Sequence, residues 1–204
     1  MSTDRRRRPG RPAGASDTRD KILGSARDLF ARNGIGNTSI RAIASDAGVD
    51  AALVHHYFGT KEKLFTAAIN VPFDPAEILV PLRTAPVEEL GRLLPSLILP
   101  VWDSEAGAGM VAALRSALAG DEIGIFRSFL RDVVVSELAA RVDKPAGSGV
   151  IRAEFAATQI LGVAIARHIL KLEPMASLPI PQIVDTIAPN LQRYFTGDLP
   201  MGGY

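Results

Sequence analysis

The 204-residue chain has no cysteine, which excludes disulfides, thiolate metal sites and a cysteine nucleophile together and is compatible with a reducing compartment. No stretch approaches the roughly 18 uninterrupted apolar residues of a membrane-spanning helix. The arginine-rich N-terminus has no apolar segment behind it, so neither secretion nor a membrane partner is expected. Strictly alternating apolar runs, the mark of half-buried strands, are missing, and no internal repeat is visible. There is no G-x-S-x-G elbow, no glycine-rich phosphate loop and no H-E-x-x-H helix, so no enzyme class is indicated. Histidine is scarce: His55 and His56 project about 100° apart on a helix and His168 is remote, so neither a metal site nor a cofactor is expected. What remains is an all-α protein expected in the cytoplasm.

The net charge of +1 conceals an asymmetry. Up to Lys63 the chain carries 12 Lys and Arg against 7 Asp and Glu; the remainder carries 11 against 15. A basic end on an otherwise acidic chain is the electrostatic footprint of a nucleic-acid-binding segment. Residues 1–15 contain Arg5, Arg6, Arg7, Arg8 and Arg11 among Pro9, Gly10, Pro12 and Gly14, a composition with too little apolar surface to order itself, and are expected to form a disordered basic arm. Its extended Arg-Pro-Gly-Arg-Pro segment suits either a narrow minor groove or simple phosphate attraction.

A DNA-binding head is expected over 16–70. One helix runs from Ser16 with a stripe of Ile22, Leu23, Ala26, Leu29 and Phe30 and stops at Asn33-Gly34, where glycine suits the C-terminal turn. A second opens at Thr38 or Ser39 and ends at Gly48, a third covers about Val49–Tyr57, and a fourth runs from a Thr60 cap to a stop at Pro72,. Over 71–204, Asp74-Pro75-Ala76-Glu77 is a strong helix start,. Further helices are expected near 86–102, 105–119, 122–142, 151–172 and 181–195, with kinks or breaks at Pro95 and Pro189 and a loop over Asp143–Gly149.

The window Thr38–Phe65, TSIRAIASDAGVDAALVHHYFGTKEKLF, holds two short helices joined by a turn at Gly48. That is the pattern of a helix-turn-helix, whose second helix enters the major groove. The window closely resembles the TetR family signature through Ala47-Gly48-Val49, His56-Tyr57-Phe58 and Lys61-Glu62-Lys63-Leu64, and the likeness extends back through the first helix. The resemblance implies a homodimeric DNA-binding repressor with a C-terminal helical domain that binds an effector and dimerises. By position it implies that Thr38, Ser39, Tyr57 and Lys61 meet phosphates, that Arg41 reaches a phosphate or a base edge, and that Ala51, Ala52 and His55 look into the groove. Where many members carry Lys-Gly-Thr this chain has Ala51-Ala52-Leu53. Alanine can touch a thymine methyl, and His55 can either donate to or accept from a base edge.

The helix near 151–172 is apolar nearly all round and rich in small residues, which suits either a dimer interface shared with 181–195 or burial within one chain. In TetR-type proteins the last two long helices form a four-helix dimer bundle, so the resemblance implies the former. Trp102, Met110, Leu114, Phe126, Phe129, Leu130 and Val133 are candidates for an effector pocket, or else ordinary core. Arg115, Arg127 and Arg131 either orient an anionic effector or pair with carboxylates. The other function classes compatible with these residues are a helical adaptor whose basic end binds protein and a small helical enzyme without a recognisable motif.

Overall fold

The computed structural model describes residues 13–69, 71, 75–105, 107–120 and 123–200, and among them helices are the only regular elements. The head comprises α1 (Ala13–Asn33), α2 (Ile40–Asp46), α3 (Ala51–Phe58) and α4 (Lys61–Ala68). Each of the three short helices starts where a side chain accepts an otherwise orphaned amide. Ser39 caps α2 through the Ala42 N–H, Asp50 caps α3 through the Ala52 N–H, and Thr60 caps α4 through the Lys63 N–H. Helix α1 begins at Ala13 rather than Ser16, so the expected arm ends three residues early. The arginines Arg5, Arg6, Arg7, Arg8 and Arg11 lie outside the described residues.

The remainder comprises α5 (Pro75–Thr84), a 3-10 turn (Val87–Glu89), α6 (Leu90–Asp103), α7 (Gly107–Ala119), α8 (Ile123–Phe129), α9 (Ser136–Ala139), α10 (Gly149–Ala164) and α11 (Ile180–Thr196). The expected 122–142 helix is not uniform. Between α8 and α9, Leu130–Val135 is wound as a π-helix; a second π-helical segment, Ile165–Ile169, extends α10. Such wide turns add a residue without breaking the helix and are frequent at functional sites. Pro95 and Pro189 do not interrupt their helices. Pro95 is buried, and packing on that scale offsets the single hydrogen bond that proline removes.

Two apolar cores hold the molecule together. The first joins Ile22, Ala26 and Phe30 of α1 to Ile43, Val54, Leu64 and Phe65, with Phe30 and Phe65 edge to face at 5.2 Å. It does not stop at the expected 70/71 boundary but continues through Trp102, Met110, Ile125 and Phe129. The second links Leu79 and Leu82 of α5, Leu90 and Leu94 of α6, Leu138, the Ala153–Ala156–Ile160 face of α10, and Ile187, Leu191 and Phe195 of α11. By length and composition Gly149–Ile169 could cross a membrane, yet one face of it is built into this core. Its buried Arg152 donates to the carbonyls of Tyr194 and Gly197 at the end of α11, where a cation meets the negative end of the helix dipole.

Candidate nucleic-acid interface

Burial alternates sharply along α3. Val54 and Phe58 point into the head's core, while Ala52, His55 and His56 are exposed and Ala51 is half-buried at the edge of the same arc. Ala51, Ala52 and His55 therefore share one outward face, as expected, and the adjacent His56 is a groove-side candidate that the sequence pattern did not single out. Gly48, with φ of +67°, makes the turn between α2 and α3, a backbone conformation suited to glycine.

The phosphate-contact candidates divide. Ser39 is exposed and its oxygen accepts from the Ala42 N–H at 3.1 Å, leaving the hydroxyl proton free to donate outward. Arg41 is exposed and pairs with no other described residue. Thr38 is a correction: it is 2% exposed, and its hydroxyl donates to the carbonyls of Gly34 at 2.8 Å and Leu29 at 3.2 Å. A hydroxyl proton committed to the end of α1 cannot also serve a phosphate, so Thr38 shapes the turn. Tyr57 is half-buried against the core. Lys61, also half-buried, donates from Nζ to the carbonyl of Ile35 at 2.9 Å.

The α1–α2 turn that Thr38 and Lys61 hold is also gripped by the larger domain. The Ile35 N–H donates to Asp132 Oδ2 at 2.8 Å, and the buried Ser128 hydroxyl donates to the Phe30 carbonyl at 2.8 Å. Gly34, with φ of +79°, lets this approach happen, since a Cβ there would stand 2.8 Å from both Arg131 Nη2 and Asp132 Oδ2. Asp132 lies in the Leu130–Val135 π-helix, and Leu130 and Val134 on either side of it line an apolar cavity.

That cavity encloses about 60 Å³ between α5, α6, α7, α8 and α10. Trp102, Met110, Phe126, Phe129 and Leu130 line it as expected. Leu114 instead lines a neighbouring surface groove, and Val133 packs between the two cores. Sequence reading missed Ile78 and Leu79 on α5, Ile98 on α6 and Ala157, Ile160 and Leu161 on α10, because pocket walls drawn from five helices leave no local pattern. None of the three arginines proposed for an anionic effector reaches the cavity. Arg127 and Arg131 border the groove, and Arg131 pairs with Asp132 at 2.8 Å. Arg115 donates to the His168 carbonyl at 3.3 Å.

His168 is not isolated. It stacks on Trp102 at 6.0 Å and faces Asp103 at 3.3 Å, while Arg167 clamps the same carboxylate at 2.8 and 3.0 Å. Hydrogen bonding from Arg167 holds the Asp103 carboxyl below its ordinary range. Burial pushes His168 below the ordinary histidine range against the opposing pull of Asp103, so the ring resists protonation.

Comparison with known proteins places the chain. The family model described as "Bacterial regulatory proteins, tetR family" matches residues 22–68, and "Tetracyclin repressor-like, C-terminal domain" matches 88–195, just over half the chain. The HTH-type transcriptional repressor Rv3405c of Mycobacterium tuberculosis is 42% identical over 69 residues, covering 34% of this chain and 35% of that protein. The HTH-type transcriptional repressor NicS of Pseudomonas putida is 33% identical over 92 residues, covering 44% and 42%. The match thus spans well under half the length of these relatives. A crystal structure of a TetR-family regulator from Streptomyces coelicolor A3 is 31% identical over 92% of this chain and 99% of that one, with a TM-score of 0.46. With both halves matched by models of one family, the chain belongs to the TetR family of bacterial regulatory proteins.

Proposed function

We propose that this protein is a homodimeric transcriptional repressor of the bacterial cytoplasm that binds a near-palindromic operator and is released from it by an uncharged, apolar small molecule. The observation that carries the DNA-binding part is the division of α3, whose Val54 and Phe58 are core while Ala52 and His55 face outward. A helix whose inner side is fixed this way is held rigidly enough to enter a major groove. Ser39, Arg41, Tyr57 and Lys61 would flank it on the phosphates, with the basic arm adding attraction. Lys61 would exchange its Ile35 carbonyl for a phosphate.

The effector's chemistry follows from the cavity wall, which is built from aliphatic and aromatic side chains and methionine with no titratable group. A buried anion there would lack any partner, a cost of several kcal/mol or more in order of magnitude. At about 60 Å³ the cavity is small, so an effector larger than a few heavy atoms must displace Phe126, Leu130 or Val134. Because Asp132 sits between the last two and holds the Ile35 amide, that displacement would pull on the α1–α2 turn and change the spacing of the paired recognition helices. Only an effector with different affinity for the two spacings would act.

Dimerisation is assigned to α10 and α11. Ile151, Phe155, Thr158 and Gly162 of α10 and Ile165 of its π-helical extension form one lengthwise stripe that is exposed or half-buried. Phe155 is 42% exposed and stacks on Tyr194 of α11 at 5.5 Å. A Cβ at Gly162 would meet nothing within 4 Å, so a partner helix has room to approach, and the buried Gln159 Oε1 has no hydrogen-bond partner among the described residues. The decisive experiment is selection from a randomised duplex library followed by titration at several salt concentrations. An inverted repeat with half-sites about 34–36 Å apart and a salt-dependent affinity is expected; enrichment of no duplex would remove the repressor reading.

A further inference from the structure

We infer that His55 reads its base pair as a hydrogen-bond acceptor, taking the exocyclic amino hydrogen that adenine or cytosine presents in the major groove. This rests on the operator-binding reading above and sharpens it. His55 Nδ1 lies 2.8 Å from the carbonyl oxygen of Gly59. A carbonyl only accepts, so the proton of this contact resides on Nδ1, and in the singly protonated tautomer that this selects Nε2 keeps its lone pair.

The contact is part of a two-way lock. The Gly59 N–H donates to the His55 carbonyl at 2.8 Å, while φ of 76° and ψ of −77° swing the Gly59 carbonyl back toward the ring. Glycine alone adopts that backbone without strain. The rest of the face has little to compete with: Ala51 and Ala52 have no hydrogen-bonding side chain, and Asp50 accepts the Ala52 N–H at 2.7 Å. His56, the other exposed imidazole, projects about 100° away and sets its ring edge against Tyr57 at 5.6 Å. Adenine N6 and cytosine N4 are the donors of the major groove, whereas guanine N7 and O6 and thymine O4 would oppose lone pair to lone pair. The sequence left donor and acceptor roles open for His55; the Gly59 carbonyl decides between them.

Three measurements on the full-length protein test this. In histidine-labelled protein at mildly alkaline pH, nitrogen NMR is expected to report a protonated Nδ1 and a bare Nε2 for His55, the latter signal moving on operator binding. Library selection is expected to fix one base pair of each half-site for the wild type and to change that preference for H55R, since arginine only donates. Replacing the selected base by an analogue without its exocyclic amino group should weaken wild-type binding by roughly three- to tenfold and leave H55A binding unchanged. A proton on Nε2, a wild-type site with no base preference that depends on His55, or an equal loss with H55A would each overturn the inference while the operator reading stands. Enrichment of no inverted repeat would defeat the operator reading, and this inference with it.

Discussion

If Asp132 is the link between the cavity and the DNA-binding head, filling the cavity should weaken operator binding only while that carboxylate is present. Ala157, 9% exposed, stands on the cavity wall together with Leu130 and Val134 of the π-helix. Ala157→Leu would insert a branched side chain into about 60 Å³, and overpacking of this kind costs about 1–3 kcal/mol. The strain is relieved by moving the wall that contains Leu130 and Val134, and Asp132 with it. If about half of the upper figure is expressed as a difference between the two head positions, operator affinity falls by about tenfold. Asp132→Ala removes the acceptor of the Ile35 amide and costs about 1–3 kcal/mol of stability, toward the lower end because the Asp132 side chain keeps 20% of its exposure. In that background Ala157→Leu should weaken binding by about twofold or less, a missing coupling of roughly 1 kcal/mol. Fluorescence anisotropy with the selected duplex measures all four proteins, and urea unfolding in parallel checks that each is folded. Equal weakening by Ala157→Leu with and without Asp132 would refute the link and leave Asp132 as a structural staple.

Other expectations follow from the same geometry. Thr38→Val, which keeps the shape but cannot donate to either carbonyl, should lower stability by about 1–2 kcal/mol without changing the salt dependence of DNA binding; a shallower salt slope would restore Thr38 to the phosphate-contact set. His168 is held below the ordinary histidine range chiefly by burial, so the unfolded chain takes up a proton at a pH where the folded one does not. The stability linked to this ring is therefore complete above the unfolded value of about 6.5 and declines as the pH falls toward the folded value. His168→Gln should flatten urea-unfolding stability between about pH 7 and 5, leaving a separate loss below about pH 4 as the depressed Asp103 carboxyl protonates; an unaltered profile between pH 7 and 5 would exclude His168. Phe155→Glu on the α10 stripe should shift light-scattering mass from dimer to monomer, and a dimer of unchanged affinity would move the interface elsewhere. Removing residues 1–12, with Arg5, Arg6, Arg7, Arg8 and Arg11, should lower the log–log salt slope by about 0.9 for each phosphate that the arm neutralises; an identical slope would take the arm out of binding.

The local chemistry of the chain determined the head almost completely. Apolar spacing in the first helix, the caps Ser39 and Thr60, and the turn at Gly48 act within a few residues of one another, so a linear reading finds the elements; the outward face of α3 is implied by the family resemblance, and the Asp50 cap that starts α3 at Ala51 rather than Val49 is seen only in the structure. Long helical periods with proline and glycine at their edges likewise revealed an all-helical C-terminal half, though not that Pro95 and Pro189 would be carried inside intact helices by packing. Pairings between residues far apart were decided only by the tertiary structure. The chain between Ile35 and Asp132, separated by 97 positions, contains no pattern that pairs an amide with that carboxylate, and the five helices around the cavity meet only after folding. Thr38 and His55 look equally polar in sequence; the fold commits the hydroxyl of one to buried carbonyls and sets Nδ1 of the other against the Gly59 carbonyl, because only a packed backbone determines which carbonyl lies within reach of which side chain.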